Sequence, residues 1–572
     1  MPTFGWPPTW ALVVAYRLGL CCFLQTSFVP DEYYQGVEPA YSLVFGGGSP
    51  PTWEWTDDYR IRSYVLLLPH LCFFAAVRVF SLDAPWVVRH GPRVVQSLLT
   101  AAGDMSLFAL VDRMHLAADA QISQTTDSTK FFVLGSHLLS WSASYCGGRT
   151  LANSTEMSLT CMLLLAQSCA SADAEADARP TNKSCAPPLG SNQQRRGSSS
   201  LLLYVVLSTL LVMTRPTAIL LAAPAFVCFI WHNLQSCGGA VPAAWSRLVV
   251  NVLFAAVPTA LACLAIDSSC YGAWTCTPCN FVTVNVWHNA SALFGTQPWH
   301  WNFSQGLPTV LGLYTPVVFW AAVPGAGLWP SHPVRTLAGL SLLYAALLHC
   351  ASSHQEIRFL LPCLPGLHIL VGAIVERWVW REARAHVPAT RARFPLPAAL
   401  LCGLVAVAHV FSASYLLSRH QAGPEAAMRY LASFVQQQQQ YQQQDQQDHR
   451  VVYNIHILAP CFSFPGRSFL HVGGGAGVTL HALECSPFVR SEDAALLRSS
   501  PAALMQRTHG EARWGKADLV LTFDAIAARP GMAEELQQRG LVLAQSFPHA
   551  VLRYDFDNPE VYQSVFLYSS IS

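Results

Sequence analysis

Phe28-Val29-Pro30-Asp31-Glu32-Tyr33-Tyr34-Gln35 follows an apolar run, Trp10 to Phe28, and sets two adjacent carboxylates where a membrane span should meet water. Ionisable residues there are costly and are functional candidates by default. The run is too long for the apolar part of a signal peptide, so it reads as a retained first span. Beyond it, Trp53-Glu54-Trp55 and Ile61-Arg62-Ser63-Tyr64 return the chain to the bilayer after a loop rich in aromatics and acids. Indole faces can stack on a pyranose and carboxylates can hold or deprotonate hydroxyls, so this loop suits sugar chemistry.

The rest of the chain fits a polytopic membrane protein. Of 572 residues 52% are hydrophobic and only 12% charged, against roughly 25% charged in soluble domains. With a net charge of +1 and no basic tract, nothing points to nucleic acid. Apolar windows of about twenty residues fall near 9–28, 63–82, 93–112, 131–146, 151–170, 199–214, 216–233, 248–266, 305–324, 334–350, 357–375 and 396–417. Arg377, Arg381, Arg384, Arg391 and Arg393 form a basic loop that the positive-inside rule puts in the cytosol, which makes everything after the last span luminal. Arg78, Arg89 and Arg93 make the loop after the second span cytosolic, so the Asp31-Glu32 loop is luminal too. A cytosolic start and a luminal end require an odd number of crossings, so 11 or 13 transmembrane helices are expected, with the misassigned window around 113–170.

Residues 1–417 therefore read as a helical membrane domain whose luminal loop, 29–62, carries the chemistry, and 418–572 as a separate luminal α/β domain. Strand-like runs occur at Val451–Leu458, Leu519–Phe523, Val551–Tyr554 and Val565–Tyr568. Gln436 to Gln447 is of low complexity and reads as a disordered insertion, and Ser171 to Ser200 as a flexible loop.

Three polar clusters share the luminal side. The first is Asp31 and Glu32 with Trp53, Glu54 and Trp55, which could also be a solvated helix cap. The second, Pro298-Trp299-His300-Trp301-Asn302-Phe303-Ser304-Gln305-Gly306, is either a sugar platform or an interfacial anchor. The third, His354 to Pro362, contains His354 and Arg358, suited to holding a lipid phosphate, although such an arginine can also snorkel. Arg215, in Met213-Thr214-Arg215-Pro216-Thr217, is a weaker candidate of the same kind. No Walker motif, Ser-centred nucleophile elbow or GxGxxG occurs. A luminal transferase would take its sugar from a lipid carrier.

Of the 18 cysteines, Cys276 and Cys279 form a CxxC without a second pair at zinc-ligand spacing. Cys461 and Cys485 could form a disulfide in an oxidising lumen. Among the sequons, Asn289-Ala290-Ser291 is the expected glycosylation acceptor, Asn302 lies too near the membrane, and Asn182 should be bare.

Together, the Pro-Asp-Glu loop, the Trp53-to-Tyr64 return, Arg149-Thr150-Leu151-Ala152-Asn153, Arg215-Pro216-Thr217, Asp267 with Tyr271-Gly272, and His354 to Phe359 resemble glycosyltransferase family 22, GT-C membrane mannosyltransferases that use dolichyl phosphate mannose. Within it, Pro298-Trp299-His300-Trp301, Ala459-Pro460-Cys461 and Glu484-Cys485-Ser486-Pro487 resemble the members that add the third mannose of the glycosylphosphatidylinositol (GPI) precursor. Many members carry His before Pro-Asp-Glu where this chain has Val29, so no role is carried over for that His. The resemblance implies inverting transfer of mannose in α1,2 linkage to the second mannose of a GPI glycolipid in the endoplasmic reticulum membrane. Asp31 would be the base, with Glu32 orienting the acceptor or sharing the charge of a coupled pair. His354, Arg358 and Arg215 would hold the donor phosphate, and Trp53, Glu54, Trp55, Trp299, His300 and Trp301 the sugars. No metal or cofactor is expected. The alternatives are another family 22 transferase, for the fourth GPI mannose or the N-glycan precursor, and a polytopic transporter.

Overall fold

The computed structural model describes residues 6–116, 126–178, 191–236, 241–321, 332–386, 396–444, 452–471, 478–483, 492–510, 514–550 and 562–570. Six described helices are long and apolar enough to cross a membrane: Pro85–Met114, Pro216–Asn233, Val249–Tyr271, His332–Ala351, Ile357–Val379 and Leu396–Ser418. Pro8–Phe23, Tyr64–Val79 and Ser199–Thr214 are shorter apolar helices. The protein is a multi-pass membrane protein.

A helix that is apolar all round must be buried in protein or in lipid, and both cases occur. Leu360, Leu364, Leu367 and Val371 are fully enclosed by neighbouring helices. Phe254, Leu261, Leu404 and Phe411 point outward on Val249–Tyr271 and Leu396–Ser418. Two predicted spans are broken: 131–146 becomes Thr126–Leu138 and Trp141–Gly147, and 305–324 becomes Leu307–Leu311 and Thr315–Ala321 around Gly312. Gly312 adopts φ 54°, open to glycine at no steric cost. Non-helical backbone at membrane depth needs internal partners, and the breaks supply them to each other. Ser142 Oγ donates to Val310 O at 2.7 Å and Trp141 Nε1 to Thr309 O at 2.9 Å.

The C-terminal region holds a five-stranded sheet of β1 (Tyr453–Leu458), β2 (Val478–Ala482), β3 (Leu519–Phe523), β4 (Val542–Pro548) and β5 (Ser564–Ser569), in the order β2-β1-β3-β5-β4. β1 runs parallel to β2 and β3, while β5 is antiparallel to β3 and β4. The sequence predicts β1, β3 and β5 but misses the edges β2 and β4, which bury too little to show an apolar run. Val551–Tyr554 lies outside the described residues. The glutamine tract is helical rather than disordered as far as Gln444, at the end of Gly423–Gln444. Glutamine is a good helix former, and the helix is seeded by the buried face of Ala427, Met428, Leu431 and Val435. Helices Ala152–Ala178 and Ser191–Thr214 likewise occupy most of the predicted 171–200 loop, of which 179–190 lies outside the described residues.

The C-terminal sheet is fastened to the Asp31-Glu32 segment. Tyr33 and Tyr34 belong to the same apolar cluster as Ile455, Phe464, Phe469 and Leu521. Tyr34 OH donates to Phe464 O at 3.1 Å, and Glu38 accepts from both the backbone and the hydroxyl of Ser468. Burial raises the Glu38 pKa, with the Ser468 and Ser49 hydrogen bonds opposing it. Beneath these contacts lies a buried charge network. Glu32, wholly enclosed, accepts from Arg93 Nη2 at 2.9 Å and Arg149 Nη1 at 2.6 Å. Arg93 also pairs with Glu425, which accepts from Tyr33 OH at 2.6 Å. Burial disfavours ionised Glu425, but Arg93 more than offsets it and holds the carboxyl at about 2.

Removing one member of such a network strands a buried charge, at a cost of about 3–5 kcal/mol. Glu32→Gln should therefore lower the melting temperature of the detergent-purified protein and its membrane abundance. An unchanged melting temperature would mean that the network carries no such load.

Candidate active site

A cavity of about 1540 Å³ opens between the membrane helices and the C-terminal sheet. One wall is the Asp31–Phe45 helix, whose first turns include a π turn over Tyr33–Val37. Such turns recur at functional sites. Asp31 and Gln35, four residues apart, share the cavity face, and the Gln35 amide donates to Asp31. Neighbouring helix positions point in different directions, so Glu32 faces the buried arginines and does not line the cavity. This corrects the expectation of a coupled acidic pair: Asp31 and Glu32 serve separate networks.

Arg358 closes the opposite wall. Its Nη1 donates to Asp31 Oδ2 at 2.5 Å, while Nε and Nη2 grip Glu356 at 2.8 and 2.7 Å. Glu356 also receives His354 Nε2 at 3.0 Å, and His354 Nδ1 lies 3.0 Å from Gly295 O. Burial disfavours ionised Glu356, but Arg358 and then His354 more than offset it and hold the carboxyl at about 2. The hydrogen bond to Glu356 raises the His354 pKa above its ordinary value, against burial. That contribution to stability is complete below the ordinary value of about 6.5 and is lost as pH rises through the raised pKa. Glu356 contributes at every pH above the usual carboxylate range. The sequence offered no role for it, although an acid between two cations at two-residue spacing was a readable signal. Arg215, also lining the cavity, pairs with Glu156 at 2.8 Å.

The return loop is positioned from outside the cavity. Glu54 pairs with Arg62 and lies 3.3 Å from the Gln35 amide, and Trp53 lines the wall. Asp267 accepts from Ser63 Oγ at 3.0 Å, the Tyr64 amide at 2.7 Å and Thr277 Oγ1 at 2.9 Å. Thr277 lies within the Cys276–Cys279 loop, which a disulfide closes in place of any metal site. Among the described residues, no group of three His, Cys, Asp or Glu is arranged to hold a metal ion.

Other expected sugar contacts fall elsewhere. Trp55 is buried and donates to Tyr34 O at 3.2 Å, so it is part of the packing. Trp299, His300 and Trp301 do not line the cavity; Trp299 is 76% exposed and His300 pairs with Ser304. Asn302 fixes that turn by donating to Ala345 O at 2.9 Å and Gln355 Oε1 at 3.1 Å, which turns the tryptophans away. Asn302 is buried and unavailable to a glycan, whereas Asn289 is exposed. Cys461 lines the cavity and is disulfide-bonded; Cys485, its expected partner, lies outside the described residues, as does Asn182. Of the cavity wall formed by the C-terminal region the sequence marked only Pro460 and Cys461, and not Phe462, Phe523 or Arg498.

Residues 8–471 match the Alg9-like mannosyltransferase family. The chain is 30% identical to the GPI alpha-1,2-mannosyltransferase 3 of Danio rerio over 83% of its own length and 74% of that protein. It is 28% identical to the Homo sapiens protein of the same name over 83% and 71%. In fold it is similar to ArnT from Cupriavidus metallidurans bound to undecaprenyl phosphate, with a TM-score of 0.54 and 12% identity, covering 100% of this chain and 99% of that one.

The Asp267 clamp yields a local test. Hydrogen bonds to a charged group contribute about 1.5–3 kcal/mol, so Asp267→Asn should speed amide exchange across residues 61–66 roughly tenfold or more. Exchange at the wild-type rate would show that the clamp does not hold the loop.

Proposed function

The chain belongs to the Alg9-like mannosyltransferase family, and from that premise we propose that it moves mannose from dolichyl phosphate mannose to the second mannose of a GPI precursor. The linkage is α1,2, the reaction inverts, and the site faces the lumen of the endoplasmic reticulum. The observation that carries this reading is the Arg358 bridge, in which a carboxylate meets a guanidinium of the kind that suits a phosphate, in one cavity. The relatives' names support the acceptor, and a Cys276–Cys279 disulfide suits an oxidising compartment.

Asp31 takes the proton of the acceptor hydroxyl as its oxygen bonds to the anomeric carbon. The bond to the lipid phosphate breaks on the opposite face, and the electron pair leaves with the phosphate. Arg358, His354 and Arg215 stabilise that charge, an effect of several kcal/mol in a dry site. With His354 protonated, Asp31, Glu356, His354 and Arg358 sum to zero charge. An incoming phosphate therefore has to exchange with a carboxylate on Arg358. Release of Asp31 leaves it with Gln35 as its amide partner and free to act as base, so donor binding arms the site. Trp53 and Glu54 line the sugar path. No metal or cofactor is invoked. A transferase with a different acceptor within the family is the rival reading, and acceptor choice separates the two.

The direct test is radiolabelled transfer by purified protein from dolichyl phosphate mannose to dimannosyl and trimannosyl GPI and to lipid-linked N-glycan precursors. Label on dimannosyl GPI, released by an α1,2-mannosidase, is expected; label confined to another acceptor would overturn the assignment. Asp31→Asn should insert normally and lose at least 10²-fold in kcat. Arg358→Lys should raise the donor KM as well as lower kcat, because lysine lacks the planar fork. Donor affinity should fall as pH rises through the raised His354 pKa, and His354→Gln should flatten that limb. A pH profile identical in wild type and His354→Gln would remove His354 from phosphate binding.

A further inference from the structure

At about 1540 Å³ the cavity exceeds the 300–1,000 Å³ typical of a site for one small ligand. Its luminal wall is chemically distinct from the donor side. Arg62, Arg215 and Arg358 each face a carboxylate: Glu54, Glu156, and Asp31 with Glu356. Among the described residues, Arg498 is the cavity-lining arginine without one; it stands near the end of Glu492–Ser499, exposed to the cavity.

Phe462, which lines the same cavity, has φ 58°, a conformation strained for a bulky side chain. The turn is held by the disulfide at Cys461 and by Ser463, whose Oγ donates to Pro460 O at 2.6 Å and whose amide donates to it at 3.2 Å. That strain sets the Phe462 ring 4.7 Å from the ring of Tyr34, three residues from Asp31. An aromatic ring packed on the helix that carries Asp31, with a guanidinium in the same cavity that faces no carboxylate among the described residues, suits a sugar carrying an anionic group.

We infer that the luminal domain supplies the acceptor subsite, in which Phe462 packs on a sugar face and Arg498 binds a phosphodiester carried by the acceptor. This rests on the proposed mannosyl transfer and adds which part of the chain reads the acceptor. The phosphodiester has two sources in a GPI glycolipid, the inositol phosphate and a substituent on the glycan.

The test uses full-length protein in detergent and three dimannosyl acceptors: one with only the inositol phosphodiester, one with only a glycan phosphodiester, and one with neither. Acceptor KM and, without donor, direct acceptor binding are both measured. In Arg498→Ala the preference for a charged over the neutral acceptor should fall at least fivefold, with donor KM unaltered and partial recovery in Arg498→Lys. The charged acceptor that shows the loss identifies the source. Phe462→Gly, which relieves the strained backbone while deleting the ring, should weaken binding of all three. A charged-to-neutral preference unchanged in Arg498→Ala overturns the inference. If transfer fails while wild-type protein still binds a charged acceptor more tightly than Arg498→Ala does, the subsite stands and the donor assignment falls.

Discussion

The structure depends on the buried charges under the Asp31–Phe45 helix. Glu32 and Glu425 face Arg93 and Arg149 in a region closed to water. Each ion alone would cost several kcal/mol to bury, and only the full set makes burial tolerable. Its members come from the Asp31 helix, the membrane helix that carries Arg93, the turn between Trp141–Gly147 and Ala152–Ala178 that carries Arg149, and the Gly423–Gln444 helix, so the network can be satisfied in one relative placement of the membrane and C-terminal halves. A hydrophobic contact could slide; a set of directional, charge-assisted bonds cannot.

That placement makes the cavity a joint product. Asp31, Arg358 and Arg215 come from the membrane half, and Phe462, Phe523 and Arg498 from the C-terminal half. The two adjacent acids divide the work: Glu32 fixes the helix from below, while Asp31 on the next position faces the open side. The Asp267 clamp and the Cys276–Cys279 loop set the other rim through Ser63, Tyr64 and Thr277. Asp31 is thus held by a hydrogen-bonded neighbour on its own helix and by an arginine that a phosphate can claim.

Much of this was legible in the sequence. Apolar windows locate the membrane helices because hydrophobic length is what lipid demands, and Asp31, Arg358 and His354 stand out because charges at those positions are costly. The breaks at Ser140 and Gly312 were not readable, since each is stabilised by a partner nearly 170 positions away, as Ser142 and Val310 are. Glu32 was misread because its role is decided by arginines distant in sequence. Trp299 and Trp301 looked like a sugar platform by composition, and only the anchoring of Asn302 turns them aside. The cavity wall from the C-terminal region gave little signal beyond Pro460 and Cys461: Phe462 and Arg498 are ordinary residues until the fold brings them to the cavity.

On the proposed mechanism a lipid phosphate exchanges with Asp31 on Arg358 and so frees the base. A cryo-electron microscopy structure with dolichyl phosphate bound tests it most directly. The account predicts the phosphate within hydrogen-bond distance of the Arg358 guanidinium and His354, with the Arg358–Asp31 contact opened and Asp31 still bonded to Gln35. A phosphate seated elsewhere in the cavity, with Arg358 still paired to Asp31, would contradict it.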